Sequence, residues 1–231
     1  APDPKPTFFG RGDTEHGHAK RRLVKGILQS VIARNLSGPD FLHKDKYALT
    51  CLDAFAGRGY YGREEPKITS DDCTTKNITV FGSPIIALFC AVDHMKNLEE
   101  RAKKDEWLSG CLKSLNVLNC VQFIFNDADK NNIDDLKKVV LQLFKVLGWK
   151  QFQESPKKEV SKKFSFQILI FEKAFQETLC RQRIKIVLTI GPFEDLPFLD
   201  FLEPPLFSLL DPFGIKQIPM EAVSKLLGPD M

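Results

Sequence analysis

The chain has 231 residues, of which 43% are hydrophobic, so it can bury the core of one large domain. Its 33 basic and 30 acidic side chains leave a net charge of +3, which excludes a strong overall field as the basis for binding a nucleic acid or a membrane. No apolar run reaches membrane-spanning length, and the first residues lack the apolar stretch of a signal peptide. We therefore expect an intracellular protein, nuclear or cytoplasmic, with no membrane partner.

The cysteines and histidines indicate no metal centre. The six cysteines are scattered without a CxxC pair or a close histidine partner, and the four histidines have no metal-ligand spacing. A dense disulfide framework is not indicated either, so we expect reduced thiols, several of them in the core.

The N-terminal part of the chain is predicted to be an arm followed by a helix. Residues 1–14 are rich in proline, glycine and charge, which is typical of a flexible arm, and residues 15–231 are expected to form an α/β domain. An amphipathic helix is predicted from Glu15 to about Leu36. Its apolar face is expected to consist of Leu23, Val24, Ile27, Leu28, Val31 and Ile32. The opposite face is basic and either meets phosphates or is solvated; it contains Lys20, Arg21, Arg22, Lys25 and Arg34.

Strand and helix patterns alternate along the rest of the chain. Apolar runs predict strands at 47–52, 121–125, 166–171, 184–190 and 206–210, and helical patterns cover 85–104, 133–147 and 219–227. Ser83 is positioned to cap the first of these helices. This alternation predicts a Rossmann-like, doubly wound, mostly parallel sheet with helices on both faces. Residues 151–163 are polar and without periodicity, which predicts a surface loop.

A glycine-rich turn follows the first predicted strand, in the sequence Asp53-Ala-Phe-Ala-Gly-Arg-Gly59. Glycines at such a turn let the backbone bend sharply and approach a ligand closely. The turn lacks the third glycine and the immediate helix of a dinucleotide site. An acid before the glycines would repel a pyrophosphate, but it suits the cationic amino-acid tail of S-adenosylmethionine. We interpret this turn as a nucleotide-type cofactor site, with a purely structural turn as the alternative.

Two further strand ends present acids. Asp127 or Asp129 follows the second strand, where a carboxylate can accept both ribose hydroxyls or can cap the next helix. Asp211 begins the sequence Asp-Pro-Phe-Gly after the last strand. There it can accept a hydrogen bond from an amine or hydroxyl while Phe213 stacks on a planar group, or the four residues form a plain type I turn.

The order and spacing of these motifs resemble those of class I S-adenosylmethionine-dependent methyltransferases. The residues concerned are 53–59, the Gly-Ser-Pro at 82–84 that opens a helix, and the Leu-Leu-Asp-Pro-Phe-Gly at 209–214. They resemble in particular the three-Cys-motif partner family, over about residues 15 to 227. The resemblance implies methyl transfer from S-adenosylmethionine to a nitrogen or oxygen of a large substrate, with RNA or DNA as candidates.

The resemblance also implies roles for individual residues. The implied cofactor contacts are Asp53, Phe55, Ala56, Gly57 and Gly59 around the methionine part, Asp127 at the ribose and Phe175 in the adenine corner. The implied catalytic residues, which would hold the target atom in line with the methyl group, are Asp211, Pro212 and Phe213. The substrate-binding candidates are Tyr60 and Tyr61, which follow the glycine turn, and Lys20, where the family's first helix carries a His/Lys pair.

Several departures from the family pattern favour a second hypothesis. Ala174 stands where many relatives have an acid near the adenine, and Asp-Pro-Phe-Gly lacks the second proline of amino-methylating relatives. The family fold has seven strands, and the chain stops soon after the strand that we equate with the fourth of them, at 206–210, so we expect an incomplete domain. The alternative is a catalytically inactive methyltransferase-like scaffold or adaptor, with the Pro/Phe-rich segment 192–207 as the surface for a protein partner.

Overall fold

A computed structural model describes residues 15–37, 42, 46–62, 64–69, 80–161, 164–175, 180–193, 202, 205–210 and 220–227. The predicted arm at 1–14 lies outside these residues. The helices are α1 (Glu15–Asn35), α2 (Ser83–Ala102), α3 (Glu106–Lys113), α4 (Lys130–Val146) and α5 (Met220–Leu227). The strands are β1 (Leu49–Asp53), β2 (Val117–Asp127), β3 (Lys150–Glu154), β4 (Lys158–Ser161), β5 (Phe164–Ala174), β6 (Arg181–Ile190) and β7 (Leu206–Leu209).

These strands form one mixed sheet in the order β3-β5-β6-β2-β1-β7, with β4 also paired to β5. The pairs β6-β2, β2-β1 and β1-β7 are parallel, whereas β5 is antiparallel to β3, β4 and β6. The α/β class is as predicted, but the prediction of a mostly parallel sheet is wrong. The connection from β5 to β6 is too short for a crossover helix, so the two strands can pair only in antiparallel directions.

The predicted surface loop at 151–163 is also wrong, because β3 and β4 lie within this part of the chain. Every residue of both strands is exposed, so the surface position is as predicted. The register of β3 shifts between Gln151 and Gln153, as in a β-bulge. A bulged edge strand with no buried face shows no alternation of apolar and polar residues, which explains why its sequence resembles a loop.

The alternation of side chains along the strands divides the core into two clusters, one on each face of the sheet. The larger cluster joins the sheet to α1, α2, α3 and α4, and its strand residues include Cys51, Phe123 and Ile186. The smaller cluster includes Leu52, Ile124 and Val187 on the opposite face, with Leu226 of α5 packed against it. The sheet is therefore flanked by helices, as predicted.

The bounds of α1 agree with the prediction, but its buried face is rotated. Leu28 and Ile32 are buried as expected, whereas Leu23 is 65% exposed and Ile27 is 42% exposed. Arg21, which the sequence placed on the solvated face, is only 8% exposed. The outward surface of α1 is therefore mixed, with basic and apolar side chains together.

No described helix is both long and apolar enough to cross a membrane. Within the described ranges, no three His, Cys, Asp or Glu side chains lie close enough together to hold a metal ion. The five described cysteines are free, and four of them are buried, so several cysteines lie in the core as expected.

Candidate functional site

The carboxyl ends of β1, β2 and β6 are joined by the buried side chain of Asn126. Its amide nitrogen donates to the carbonyl oxygens of Ala54 at 3.1 Å and Gly191 at 3.3 Å. Its amide oxygen accepts the hydroxyl of Thr189 at 2.9 Å. Asn126 was not singled out in the sequence, although an amide at the end of an apolar strand is the kind of residue that makes such a tie.

The two glycines of the turn, which we call the glycine loop (residues 53–59), have different surroundings. Both have positive φ, +61° at Gly57 and +80° at Gly59. A Cβ at Gly57 would meet no atom within 4 Å, so the backbone there is open to a ligand. A Cβ at Gly59 would lie 2.5 Å from Leu136 Cδ1 and 3.2 Å from Ile85 Cγ1. Gly59 is therefore needed for packing against α2 and α4.

Asp53 is buried at the start of the glycine loop and contacts the first turn of α2. The hydroxyl of Ser83 donates to Asp53 Oδ2 at 2.6 Å, and the N–H of Phe55 donates to Oδ1 at 3.2 Å. Ser83 was predicted to cap α2, but the N-cap residue is Gly82, which forms no side-chain cap. The carboxylate of Asp53 thus lies beside a helix N-terminus, which favours negative charge.

Asp127 holds the glycine loop to the segment that begins α4. Its Oδ2 accepts the N–H of Gly57 at 2.9 Å, and its Oδ1 accepts the N–H of Asp129 at 2.8 Å and Asn132 Nδ2 at 3.2 Å. Asp129 caps α4 by accepting the N–H of Asn131. An ionised carboxylate has about four acceptor positions, so the three contacts of Asp127 leave about one for a ligand.

The residues after the glycine loop differ in accessibility. Tyr60 is 4% exposed, and the guanidinium of Arg58 lies 4.0 Å from its ring centroid and contacts its hydroxyl. Arg58 also approaches the carboxylate of Asp135 at 3.9 Å. Tyr61 is 41% exposed, with Arg21 above its ring. Of the two tyrosines proposed to bind substrate, Tyr61 is exposed and Tyr60 is buried.

Phe55 and Ala56 turn away from the open side of the glycine loop. The ring centroid of Phe55 lies 5.5 Å from that of Phe193, in the smaller core cluster. Ala56 is buried, and its N–H donates to the carbonyl of Asn126 at 2.8 Å. Phe193, which the sequence placed in a docking segment, therefore helps to build this edge of the sheet.

Phe175 lies at the opposite end of the sheet from Asp53 and Asp127. It follows β5, and its N–H donates to the carbonyl of Cys180, just before β6 begins. Because β5 runs antiparallel to its neighbour, its carboxyl end is reversed. The structure does not bring Phe175 to the adenine corner. Gly191 occupies the corresponding edge, where its N–H donates to the carbonyl of Asp127 at 3.1 Å.

A small apolar recess opens beside Asp53, between β1, β7 and the helices α1 and α2. Its lining includes Cys51, Leu28, Ser83, Ala87, Phe207 and Leu209. Burial raises the pKa of Cys51 far above its ordinary value and that of the neighbouring Cys90 to about 12. These thiols are therefore protonated at neutral pH and are poor nucleophiles.

Several predicted site residues lie outside the described part of the chain. These are Asp211, Pro212 and Phe213, together with the side chain of Lys20 in α1. Leu209, two residues before Asp211, pairs with Asp53 in the sheet. Most of the segment 192–207 is also outside it.

No protein-family model, curated protein sequence or solved structure matches the chain. The functional assignment therefore depends on the strand order, the glycine loop and the side chains at the strand ends. The structure brings Asp53, Gly57 and Asp127 together at one edge, with the end of β7 beside them.

Proposed function

We propose that the edge formed by β1, β2 and β7 binds S-adenosylmethionine, and that the chain transfers its methyl group to a nitrogen or oxygen of a large substrate. The parallel part of the sheet would then be Rossmann-like and doubly wound, in a domain similar to class I methyltransferases and the three-Cys-motif partner family.

The order of the parallel strands is the observation that supports this proposal most strongly. The parallel strands follow one another along the chain as β1, β2, β6 and β7. In the sheet they lie side by side in the order β6-β2-β1-β7. The strands after β1 first extend the sheet on one side, and β7 then pairs on the other side of β1. In open α/β sheets, ligands bind at the carboxyl ends of the strands where the order reverses in this way. Asp53 and Leu209 are register partners at this point.

The residues at this edge fit the amino-acid part of the cofactor. The carboxylate of Asp53, which accepts hydrogen bonds from Ser83 and Phe55, supplies the negative charge that would pair with the ammonium group. Gly57 presents open backbone beside it, and Asp127 retains about one acceptor position for a ribose hydroxyl.

The cofactor, when bound, supplies a methyl group that its sulfonium has already activated. The chain's own residues would then orient the reactants and exclude water. Asp211 is proposed to accept a hydrogen bond from the substrate nitrogen or oxygen, with Phe213 stacked on the substrate.

Isothermal titration with S-adenosylmethionine and S-adenosylhomocysteine tests the cofactor site. We expect binding by the native chain, and a loss of about tenfold or more in Asp53→Asn, because the substitution removes the charge that pairs with the ammonium. Asp105→Asn is the matched control: Asp105 caps α3 through its side chain, and asparagine caps equally well.

Circular dichroism of both variants checks that each is folded. Equal affinity of the Asp53→Asn variant and the native chain would contradict the assignment of Asp53. Absence of binding by the folded native chain would contradict the cofactor proposal itself.

A second candidate function is a catalytically inactive methyltransferase-like scaffold or adaptor. The internal hydrogen bonds of the site favour it, because Ser83 and Phe55 bind Asp53 while Gly57 binds Asp127 without any ligand. A glycine loop fixed in this way holds its shape as a structural element. The same titration separates the two functions, since a folded scaffold binds neither ligand.

A further inference from the structure

The sheet face that contains the smaller core cluster also carries a row of basic side chains. Alternate residues of β6 lie on this face: Val187 belongs to the smaller cluster, and Arg181, Arg183 and Lys185 precede it at the same spacing. Their Cα atoms are about 7 Å apart along the strand. The side chain of Arg181 is 58% exposed and that of Arg183 is 25% exposed. Three cations therefore lie in a row on one strand.

Glu172 of β5 holds the two arginines in place. Its Oε1 accepts Nε and Nη2 of Arg183 at 2.9 Å and 2.6 Å, and its Oε2 accepts Nη1 of Arg181 at 3.4 Å. Lys150 of β3 is a register partner of Glu172, so its exposed side chain lies on the same face. Four cations thus surround the one carboxylate, and the surface stays positively charged.

An aromatic ring lies on each side of these cations. The guanidinium carbon of Arg183 lies 5.3 Å from the ring centroid of Phe152 in β3, and Nζ of Lys185 lies 5.8 Å from that of Tyr47, just before β1. Both distances are typical of cation–π contacts. Phe152 is 55% exposed, and Tyr47 is half-buried. We call the basic and aromatic residues of this surface the basic band: Tyr47, Lys150, Phe152, Arg181, Arg183 and Lys185.

We propose that the basic band binds a single-stranded nucleic acid. Arg181 and Lys150, its exposed cations, pair with phosphates, and an unpaired base stacks on Phe152. Cations and aromatic rings on an open sheet face are the combination that binds phosphates and bases together. A duplex offers the same phosphates but hides the faces of its bases, so the exposed ring favours a single strand.

The basic band lies at the other end of the parallel strands from the proposed cofactor site. Arg181 pairs with Val117, the first residue of β2, whereas Asp127 is the last. The inference is therefore independent of the methyltransferase function. Asp53→Asn should leave the affinity for RNA unchanged while it lowers the affinity for S-adenosylmethionine, so the failure of either proposal can be recognised separately.

Fluorescence anisotropy with a short, labelled RNA of mixed sequence, single-stranded or paired with its complement, tests the stacking contact. Phe152→Ala is expected to weaken binding of the single strand by about 5-fold to 100-fold, because one stacked base is lost. Trp107→Ala is the matched control and should leave the affinity unchanged. Trp107 is 62% exposed, and its helix α3 packs on the opposite face of the sheet.

The salt dependence of the same affinity tests the phosphate contact. Arg181→Ala should weaken binding and reduce the slope of log affinity against log salt by about one, since one phosphate contact is lost. Arg22→Ala is the matched control, because Arg22 is exposed on α1, which packs on the opposite face. An unchanged slope in the Arg181 variant, or an equal change in both variants, would contradict the phosphate contact.

Glu172→Gln tests the sign of the charge that binds. A glutamine oxygen can still accept hydrogen bonds from Arg183, while the negative charge is lost, so the affinity for RNA should rise by about twofold to fivefold. Circular dichroism checks that each variant is folded. Weaker binding by the folded Glu172 variant would contradict the proposal.

Four further outcomes would overturn the proposal. These are no RNA binding by the folded native chain, equal affinity for the single strand and the duplex, an equal loss in the Phe152 and Trp107 variants, and binding to poly-L-glutamate or phosphatidylserine vesicles without binding to RNA. A preference for the single strand that is lost in Phe152→Ala and kept in Trp107→Ala supports it.

Discussion

Gly57 and Gly59 have similar backbone conformations but serve different purposes. The sequence motif predicts the same role for both glycines, a close approach of the backbone to a ligand. The structure leaves open space at Gly57 and encloses Gly59 between Leu136 and Ile85. Neighbours in the sequence cannot distinguish these positions, because the enclosing residues come from two helices that are distant along the chain.

We expect Gly59→Ala to lower the free energy of unfolding by about 2 to 5 kcal/mol, because the methyl group adds overpacking to the strain of positive φ. Gly57→Ala is the matched control and should cost about 1 to 2 kcal/mol, from backbone strain alone. Urea unfolding measures both values. Equal costs would mean that Leu136 moves freely and that Gly59 is not a packing position.

Asp127, Asn126 and Ser83 illustrate what residue patterns reveal at a strand end. The sequence identified the position of Asp127 correctly as a strand end, but it could not show that Gly57 and Asn132 already bind the carboxylate. Ser83 was interpreted as a local cap, whereas its hydroxyl reaches Asp53. Local rules favour local partners, whereas the contacts from Gly57 to Asp127 and from Ser83 to Asp53 join elements that are distant along the chain.

At the scale of elements, periodicity predicted the buried helices and strands well. The apolar face of α4, which includes Ile133, Leu136 and Leu143, is buried as the spacing indicated. The failures are elements with little burial: the short helix α3, which was not predicted; α1, whose apolar residues partly face solvent; and the exposed strands β3 and β4. Periodicity reports burial, so an element without a buried face leaves little signal.

In addition to its backbone pairing with β5, the exposed strand β3 is tied to α4 and β5 by one carboxylate. Glu154 accepts hydrogen bonds from Lys137 at 2.6 Å, from Gln151 at 2.6 Å and from Gln167 at 2.9 Å. Lys137 first, and then Gln151, lower the pKa of Glu154 below its ordinary value of 4.5. Because the folded pKa is lowered, this stabilisation is present above the ordinary pKa and is lost as the pH falls through the folded value.

We therefore expect the amide protection factors of β3 to fall between about pH 6 and about pH 3, while those of the central strand β1 change less. Hydrogen exchange followed by NMR measures them. Glu154→Gln is the control: it should show weak protection of β3 at both pH values, because glutamine does not titrate. A pH-independent β3 in the native chain would show that Glu154 does not hold the strand.

At the scale of the whole molecule, the sequence predicted the α/β class and the strand ends that carry the candidate site. It missed the reversed direction of β5, because the predicted strands 166–171 and 184–190 leave about a dozen residues for a crossover, whereas the observed strands are longer and leave a connection too short for one. Because of this single reversal, Phe175 lies at the far end of the sheet, and Gly191 lies at the edge that contains Asp127. Site residues assigned by strand count alone are vulnerable to such a reversal.

The larger core cluster joins the helices α1 to α4 to the sheet, so we expect the domain to unfold in one cooperative step. Trp149 is buried and packs against Phe144, which makes it a probe of this cluster. In a Trp107→Phe variant, which leaves Trp149 as the remaining tryptophan, its fluorescence and the far-ultraviolet circular dichroism should change at the same urea concentration. Two separate transitions would indicate independently unfolding parts.

The pairing of β1 with β7 has a consequence for the order of folding. The antiparallel strands β5 and β6 are adjacent in the chain, so their pairing closes a short loop and is fast. The strands β1 and β7 come from opposite ends of the described chain, and their pairing must close the longest loop in the sheet. The edge that carries the proposed cofactor site is then the last part of the sheet to assemble, and a nascent chain acquires it only after β7 has been synthesised.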